Sequence, residues 1–383
     1  MSADPFGWVR ARAAERTTAG LRRTVRPREP DVDLLDLASN DYLGLARDPR
    51  VVDGAVRAAR TWGAGATGSR LVTGSTRLHA QLEERLAALT GAPAGLVFSS
   101  GYLANLGAVV ALSGPGCLVV SDAHNHASIV DACRLSRSRV VVVAHRSPAA
   151  VAAALADRTE ERALVVTDAV FSVEGELAPL PALAEVCRAH GAGLVVDEAH
   201  ALGVVGPGGA GAVAAAGLAG APDVVVTVTL SKSLAAQGGA VLGPPDVIAH
   251  VVDAARTFIF DTALAPASAG AALAALDVLA AEPELPARAR DAAARLADLA
   301  GRCGLAAGRP DAAVVGIRIG TPEAAVAAQA RCREAGVLVG CFRPPAVPDG
   351  VSRLRLTARA DLAGGDLERV AAALATVGRQ APD

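Results

Sequence analysis

The chain has 383 residues, 52% hydrophobic and 20% charged, with a formal net charge of −2. That balance excludes a disordered chain, argues against a general nucleic-acid binder, and leaves ample surface to bury in one large domain or two. Alanine inflates the apolar fraction, but no apolar run reaches the roughly 18–20 uninterrupted residues of a membrane helix, and the Arg-rich first residues lack the apolar core of a signal peptide.

Residues 1–45 read as an Arg-rich helical arm and a short strand at Leu34–Leu37. A helical run follows at Val51–Trp62. From about residue 95 to 245, strand-like and helix-like runs alternate. The strand candidates are Leu96–Ser99, Leu118–Ser121, Val140–Ala144, Leu164–Thr167, Leu194–Val196 and Val224–Thr229. Uninterrupted Val/Leu runs suit strands buried on both faces, as in a parallel sheet covered by helices. Between them lie helical stretches at Leu103–Leu112, Pro148–Asp157 and Pro181–His190, the last with Pro near its start and Gly191 past its end. This alternation predicts a doubly wound α/β domain with functional residues where strands end and loops begin.

Residues 263–303 are Ala-rich and helical in pattern. A strand candidate (Val314–Ile319), a helix (Pro322–Ala335), strand-like Val337–Gly340 and Leu354–Thr357 and a final helix (Leu367–Val377) complete a smaller α+β unit. The expected division is an arm over 1–45, a large α/β domain over 46–285 and a small domain over 286–383. The six cysteines form no C-x-x-C pair and lie mostly within such runs, which reads as reduced, buried thiols in a cytoplasmic protein.

Several motifs fail on context. Two G-x-G-x-x-G matches, Gly63/Gly65/Gly68 and Gly206/Gly208/Gly211, neither follow a strand directly nor open a helix, as a dinucleotide fingerprint requires. Asp197-Glu198-Ala199-His200 spells a helicase box, but no phosphate-binding G-x-x-x-x-G-K accompanies it. His124 and His126 near Asp122 lack further ligands at a metal-site spacing, so no metal is expected.

Lysine and arginine total 37, and the single lysine, Lys232, leaves 36 arginines. An arginine cannot serve as an amine nucleophile at neutral pH, whereas a lysine with a lowered pKa can. One lysine must fall somewhere, so its neighbours decide. Asp197 ends one buried run, His200 lies three residues on, and Lys232 follows the next run. An amine and a carboxylate at consecutive strand ends are what pyridoxal phosphate chemistry needs: one joins the cofactor aldehyde, the other holds the ring nitrogen protonated. Ser99-Ser100-Gly101-Tyr102 follows a strand and opens a helix, the context for a phosphate on backbone amides, although Ser100 also suits an ordinary N-cap. Thr229 and Ser231 flank the lysine with hydroxyls.

These residues sit within longer segments that resemble the α-oxoamine synthases, pyridoxal-phosphate enzymes of the fold-type I aminotransferase superfamily. The resemblance runs over nearly the whole chain. Its carriers are Ser39 to Leu45 (SNDYLGL), Gly65 to Arg70 (GATGSR), Ser100-Gly101-Tyr102, His126-Ala127-Ser128, Val170-Phe171-Ser172, Asp197 to His200, Thr229 to Lys232, Arg343-Pro344-Pro345 and Arg353 to Thr357. It is similar above all to the branch of biotin synthesis.

The resemblance implies a mostly parallel central sheet with helices on both faces and a smaller C-terminal domain. It makes Lys232 the covalent attachment and proton shuttle, puts Asp197 on the ring nitrogen and His126 on the ring face, and sets His200 and Ser172 near the ring's phenolic oxygen. Ser100, Gly101, Tyr102 and Thr229 surround the phosphate, with Thr262 reaching it from a partner subunit in a homodimer. Arg355, with Asn40 nearby, takes the amino-acid carboxylate, and Arg22 and Arg343 the carboxylate of the acyl chain. The implied reaction joins L-alanine to a pimeloyl thioester with loss of CO2. Use of glycine or serine with another acyl donor, and a silent partner subunit, stay open, as does the choice of CoA or acyl carrier protein as donor. Ala201 and Ala235 stand where the family has glycine, which predicts crowding of the cofactor loop, and Ala346 where it has threonine.

Overall fold

A computed structural model describes residues 4–30, 32–347 and 349–378. In chain order its strands are β1 (Leu35–Leu37), β2 (Ala94–Phe98), β3 (Cys117–Asp122), β4 (Arg139–Val143), β5 (Arg162–Asp168), β6 (Gly193–Asp197), β7 (Val224–Thr229), β8 (Gly239–Gly243), β9 (Ala306–Ala307), β10 (Val314–Gly320), β11 (Val337–Phe342) and β12 (Ser352–Thr357).

Seven strands form one sheet in the order β2-β8-β7-β6-β5-β3-β4. All pairs among β3 to β7 are parallel. β8 runs antiparallel to both its neighbours. β6 and β7 are buried along their length except at Gly193, so the Val runs do lie between two helical layers. The helices are capped as their sequences indicate: Ser100 accepts from the Leu103 amide and Ser147 from that of Ala150. The sequence pattern missed β8, because the five-residue run Gly-Ala-Val-Leu-Gly is short and bounded by glycines.

The Ala-rich stretch is two helices, Pro266–Ala281 and Leu285–Arg302. Pro283 between them has no amide hydrogen to continue the ladder. The remaining strands form a second sheet, β1-β11-β12-β10-β9. Its first strand comes from the N-terminal segment, with Leu35 opposite Val337. All six cysteines are free thiols, four buried and two, Cys303 and Cys341, partly exposed. Among the described residues no helix is long and apolar enough to cross a membrane.

Candidate active site

The carboxyl ends of the parallel strands converge. Asp197 ends β6, Lys232 lies three residues past β7, His126 four past β3 and Ser172 four past β5. Asn40, His126, Ser172, His200, Lys232 and Arg355 line one cavity of about 530 Å3. Asp197 is buried, with one carboxylate oxygen accepting from the Ala199 amide at 2.8 Å and the other from Asn105 Nδ2 at 2.6 Å.

Burial pushes the Lys232 ammonium down, offset in part by Asp197, to about 8. The amine is therefore partly free near neutral pH. Burial also lowers His126 and drives His200 well below its usual value, so both rings are neutral. His200 Nδ1 lies 2.5 Å from the hydroxyl of the fully buried Tyr42. Burial raises the phenol, so the hydroxyl keeps its proton, with Asn40 Oδ1 at 3.4 Å as its other neighbour.

Arg355 stands on β12 and crosses from the second sheet to the first. Nη1 donates to the Ser172 carbonyl at 3.0 Å and Nη2 to Asn40 Oδ1 at 2.9 Å, while the guanidinium stacks over Phe342 at 4.4 Å. Its Nε is buried without a partner, and among the described residues no carboxylate pairs with it. Such a fork is a ready receptor for a carboxylate.

The helix Gly101–Leu112 begins three residues past the end of β2, with the amides of Gly101 and Tyr102 in the first turn, where no intrahelical acceptor exists. β8 and Thr229 press against this turn. A Cβ on Gly101 would meet Thr229 Cβ at 2.8 Å, and one on Gly239 would meet Gly101 Cα at 2.5 Å, so both positions demand glycine. The Thr229 and Ser231 hydroxyls are 2.7 Å apart at this point. A titratable amine, a buried carboxylate, a neutral ring, free amides and clustered hydroxyls together fit pyridoxal phosphate.

Other expected residues lie elsewhere. Thr262 is exposed, bridged to Ser69 and next to Asp261, which accepts from Ser99. Arg22 and Arg343 do not line the main cavity. They share a cleft of about 320 Å3 with Arg26 and Arg333, and Arg343 donates to the carbonyls of Gly20 and Arg22. Asp122 binds His145 at 2.8 Å and the His124 ring stacks on His145, so that cluster is satisfied internally. Ala201 is fully buried, and Ala235 has φ of +51°, a left-handed conformation that disfavours an alanine by about 1–2 kcal/mol.

Tyr42, Asn105, Ser128 and Asp168 were not singled out from sequence as site residues. Asp168 lies opposite Asp197 in the β5–β6 register and accepts from the His126 amide at 2.9 Å. Burial and the neighbouring Asp197 raise it well above the usual carboxylate range. The readable signals were an asparagine in an otherwise apolar helix and an aspartate closing a Val-rich strand.

Fold and site together define a fold-type I pyridoxal-phosphate transferase. The aminotransferase class I and II family model matches residues 32–374, and the chain belongs to that family, within its α-oxoamine synthase group. The chain is 64% identical over 364 residues to an 8-amino-7-oxononanoate synthase of Mycobacterium bovis, covering 95% of this chain and 93% of the relative. It is 61% identical over 373 residues to one from a Mycobacterium species, strain JLS, covering 97% of each. A serine palmitoyltransferase structure from S. paucimobilis with a bound PLP–myriocin aldimine superposes with a TM-score of 0.91 at 29% identity, covering 99% and 98% of the two chains. An 8-amino-7-oxononanoate synthase from Francisella tularensis shares the fold, with a TM-score of 0.77 at 24% identity over 91% and 97%.

Proposed function

We propose that this chain condenses L-alanine with a pimeloyl thioester to give 8-amino-7-oxononanoate, CO2 and a free thiol, a step of biotin synthesis. The observation that carries the reading is the buried, carboxylate-free Arg355 facing the same cavity as the chain's only lysine. The identity of 64% to an 8-amino-7-oxononanoate synthase supports alanine and the pimeloyl donor over glycine, serine or other acyl groups.

Bound pyridoxal phosphate supplies an aldehyde for amines and a ring that takes up electrons from the substrate Cα. Lys232 would hold the cofactor through Nζ, and its amine is placed to move the Cα proton. Asp197 keeps the ring nitrogen protonated, and its orientation is set by the Ala199 and Asn105 donors. His126, Ser172 and His200 line the same cavity, where His126 would cover the ring face and His200 and Ser172 would face its phenolic oxygen. The amides of Gly101 and Tyr102 and the hydroxyls of Ser100 and Thr229 hold the phosphate. Arg355, steadied by Asn40, grips the alanine carboxylate and so fixes which Cα bond breaks.

A new bond forms between Cα and the acyl carbonyl carbon, the carbon–sulfur bond breaks, and the thiol leaves with a proton. CO2 then departs from the β-keto acid. A chamber of about 190 Å3 shares Phe342 and Ala346 with the main cavity and includes Arg343, which supports Arg343 as partner of the distal carboxylate. Arg22 borders the adjoining cleft and serves the same end. The exposed Thr262, beside Phe260 at 70% exposure, supports a homodimer in which the partner subunit's Thr262 completes the phosphate site. Six free thiols support a cytoplasmic setting.

The test is a product assay crossing alanine, glycine and serine with pimeloyl-CoA, pimeloyl carrier protein and palmitoyl-CoA. Product from alanine with a pimeloyl donor is expected to dominate. Absence of that product alongside turnover of serine or glycine overturns the assignment.

A further inference from the structure

Asn105 lies in the helix Gly101–Leu112 and is 3% exposed. Its amide is fully used. A carboxylate only accepts, so Nδ2 faces Asp197, at 2.6 Å. The second Nδ2 hydrogen goes to Ser128 Oγ at 2.8 Å, and Oδ1 accepts from the Thr227 hydroxyl at 2.5 Å. These three contacts leave the amide one orientation.

The direction of the chain then propagates. Ser128 is fully buried, and its oxygen already accepts from Asn105. The Ser128 amide points at His126 Nδ1, at 3.2 Å. His126 Nδ1 is fixed as an acceptor by that backbone amide, so the Ser128 hydroxyl, 2.7 Å away, donates to it as well. An imidazole nitrogen that accepts two hydrogen bonds carries no hydrogen, so in the neutral ring the hydrogen sits on Nε2. The Asp168 carboxylate holds the His126 backbone amide at 2.9 Å, so ring and main chain are both anchored.

We infer that Asn105 and Ser128 are positioning residues that lock His126 in the Nε2–H form, giving the cavity one fixed hydrogen-bond donor whose orientation is tied to that of Asp197. The lowered basicity of His126 from burial agrees with a neutral ring. The value of that donor in catalysis rests on the function proposed above; the tautomer itself does not.

The test is 15N NMR of the cofactor-loaded protein labelled at histidine. Seven histidines give few signals, and a His126→Gln sample assigns the one of interest. The expected spectrum near neutral pH has a protonated Nε2 and an unprotonated Nδ1. Ser128→Ala removes the hydroxyl donor and is expected to give mixed tautomers, with kcat down about tenfold and cofactor content unchanged. Asn105→Asp draws the Ser128 hydrogen to the new carboxylate and is expected to free Nδ1 in the same way. A protonated Nδ1 in the wild type, or an unmixed wild-type tautomer in Ser128→Ala, overturns the inference. If either variant misfolds, the wild-type spectrum still decides. A locked tautomer in a protein that makes no product from alanine sinks the function and leaves the inference standing.

Discussion

Replacing Arg355 probes how the substrate is held. The guanidinium makes two hydrogen bonds to the protein, has a free Nε, and sits on Phe342 at 4.4 Å. A fork on the alanine carboxylate comprises two charge-assisted hydrogen bonds, each about 1.5–3 kcal/mol, or about 3–6 kcal/mol together. At about 1.4 kcal/mol per tenfold, Arg355→Ala should lower kcat/KM for alanine by roughly 10^2 to 10^4. Arg355→Lys keeps the charge but loses the fork and part of a stacking contact of about 0.5–2 kcal/mol, so its loss should fall between wild type and alanine variant. Ethylamine, which lacks the carboxylate, is the control. Its affinity, read from the shift of the cofactor absorbance, should be equal in all three proteins. An Arg355→Ala enzyme within a factor of about 3 of wild type on alanine would refute the assignment of this guanidinium.

Three further outcomes follow from the geometry. Gly239→Ala puts a Cβ 2.5 Å from Gly101 Cα, which parts β8 from the phosphate turn; stability should fall by about 1–3 kcal/mol, and equilibrium dialysis should show weakened pyridoxal phosphate retention. Tyr42→Phe orphans the buried His200 Nδ1 and should cost about 1–3 kcal/mol in chemical unfolding; an unchanged midpoint contradicts the hydrogen bond. Burial holds Lys232 at about 8, below its ordinary value, so the free-amine fraction grows as pH rises toward 8 and saturates above. Stopped-flow capture of pyridoxal phosphate by the apoprotein should therefore accelerate about tenfold per pH unit below 8 and level off above it; a flat profile contradicts the shift.

What could be read from the chain alone follows the range of the interactions. The Val-rich strands were legible because burial on both faces leaves no polar alternation, and Asp197 and Lys232 were legible because they close such runs. The strand Gly239–Gly243 was not, since its pairing with β2 and β7 rather than its composition holds it in place. Nor was the union of Leu35 with Val337, which joins segments some three hundred residues apart. Asn105 and Ser128 are common residue types in helical sequence. Their roles emerge only when Asp197, at the end of β6, and His126, in the loop after β3, close around them. Arg22 and Arg343 were tied to the substrate only by the resemblance; the fold sets both along a cleft beside the main cavity, with Arg343 also in the chamber that adjoins it.

The central claim is that Lys232 carries pyridoxal phosphate and thereby the chemistry. Because it is the sole lysine, reduction of the cofactor-loaded protein with borohydride followed by peptide mapping gives an unambiguous answer. A phosphopyridoxyl adduct on Lys232, absent from Lys232→Ala, is the expected result. An unmodified Lys232 peptide from a protein saturated with the cofactor would contradict it.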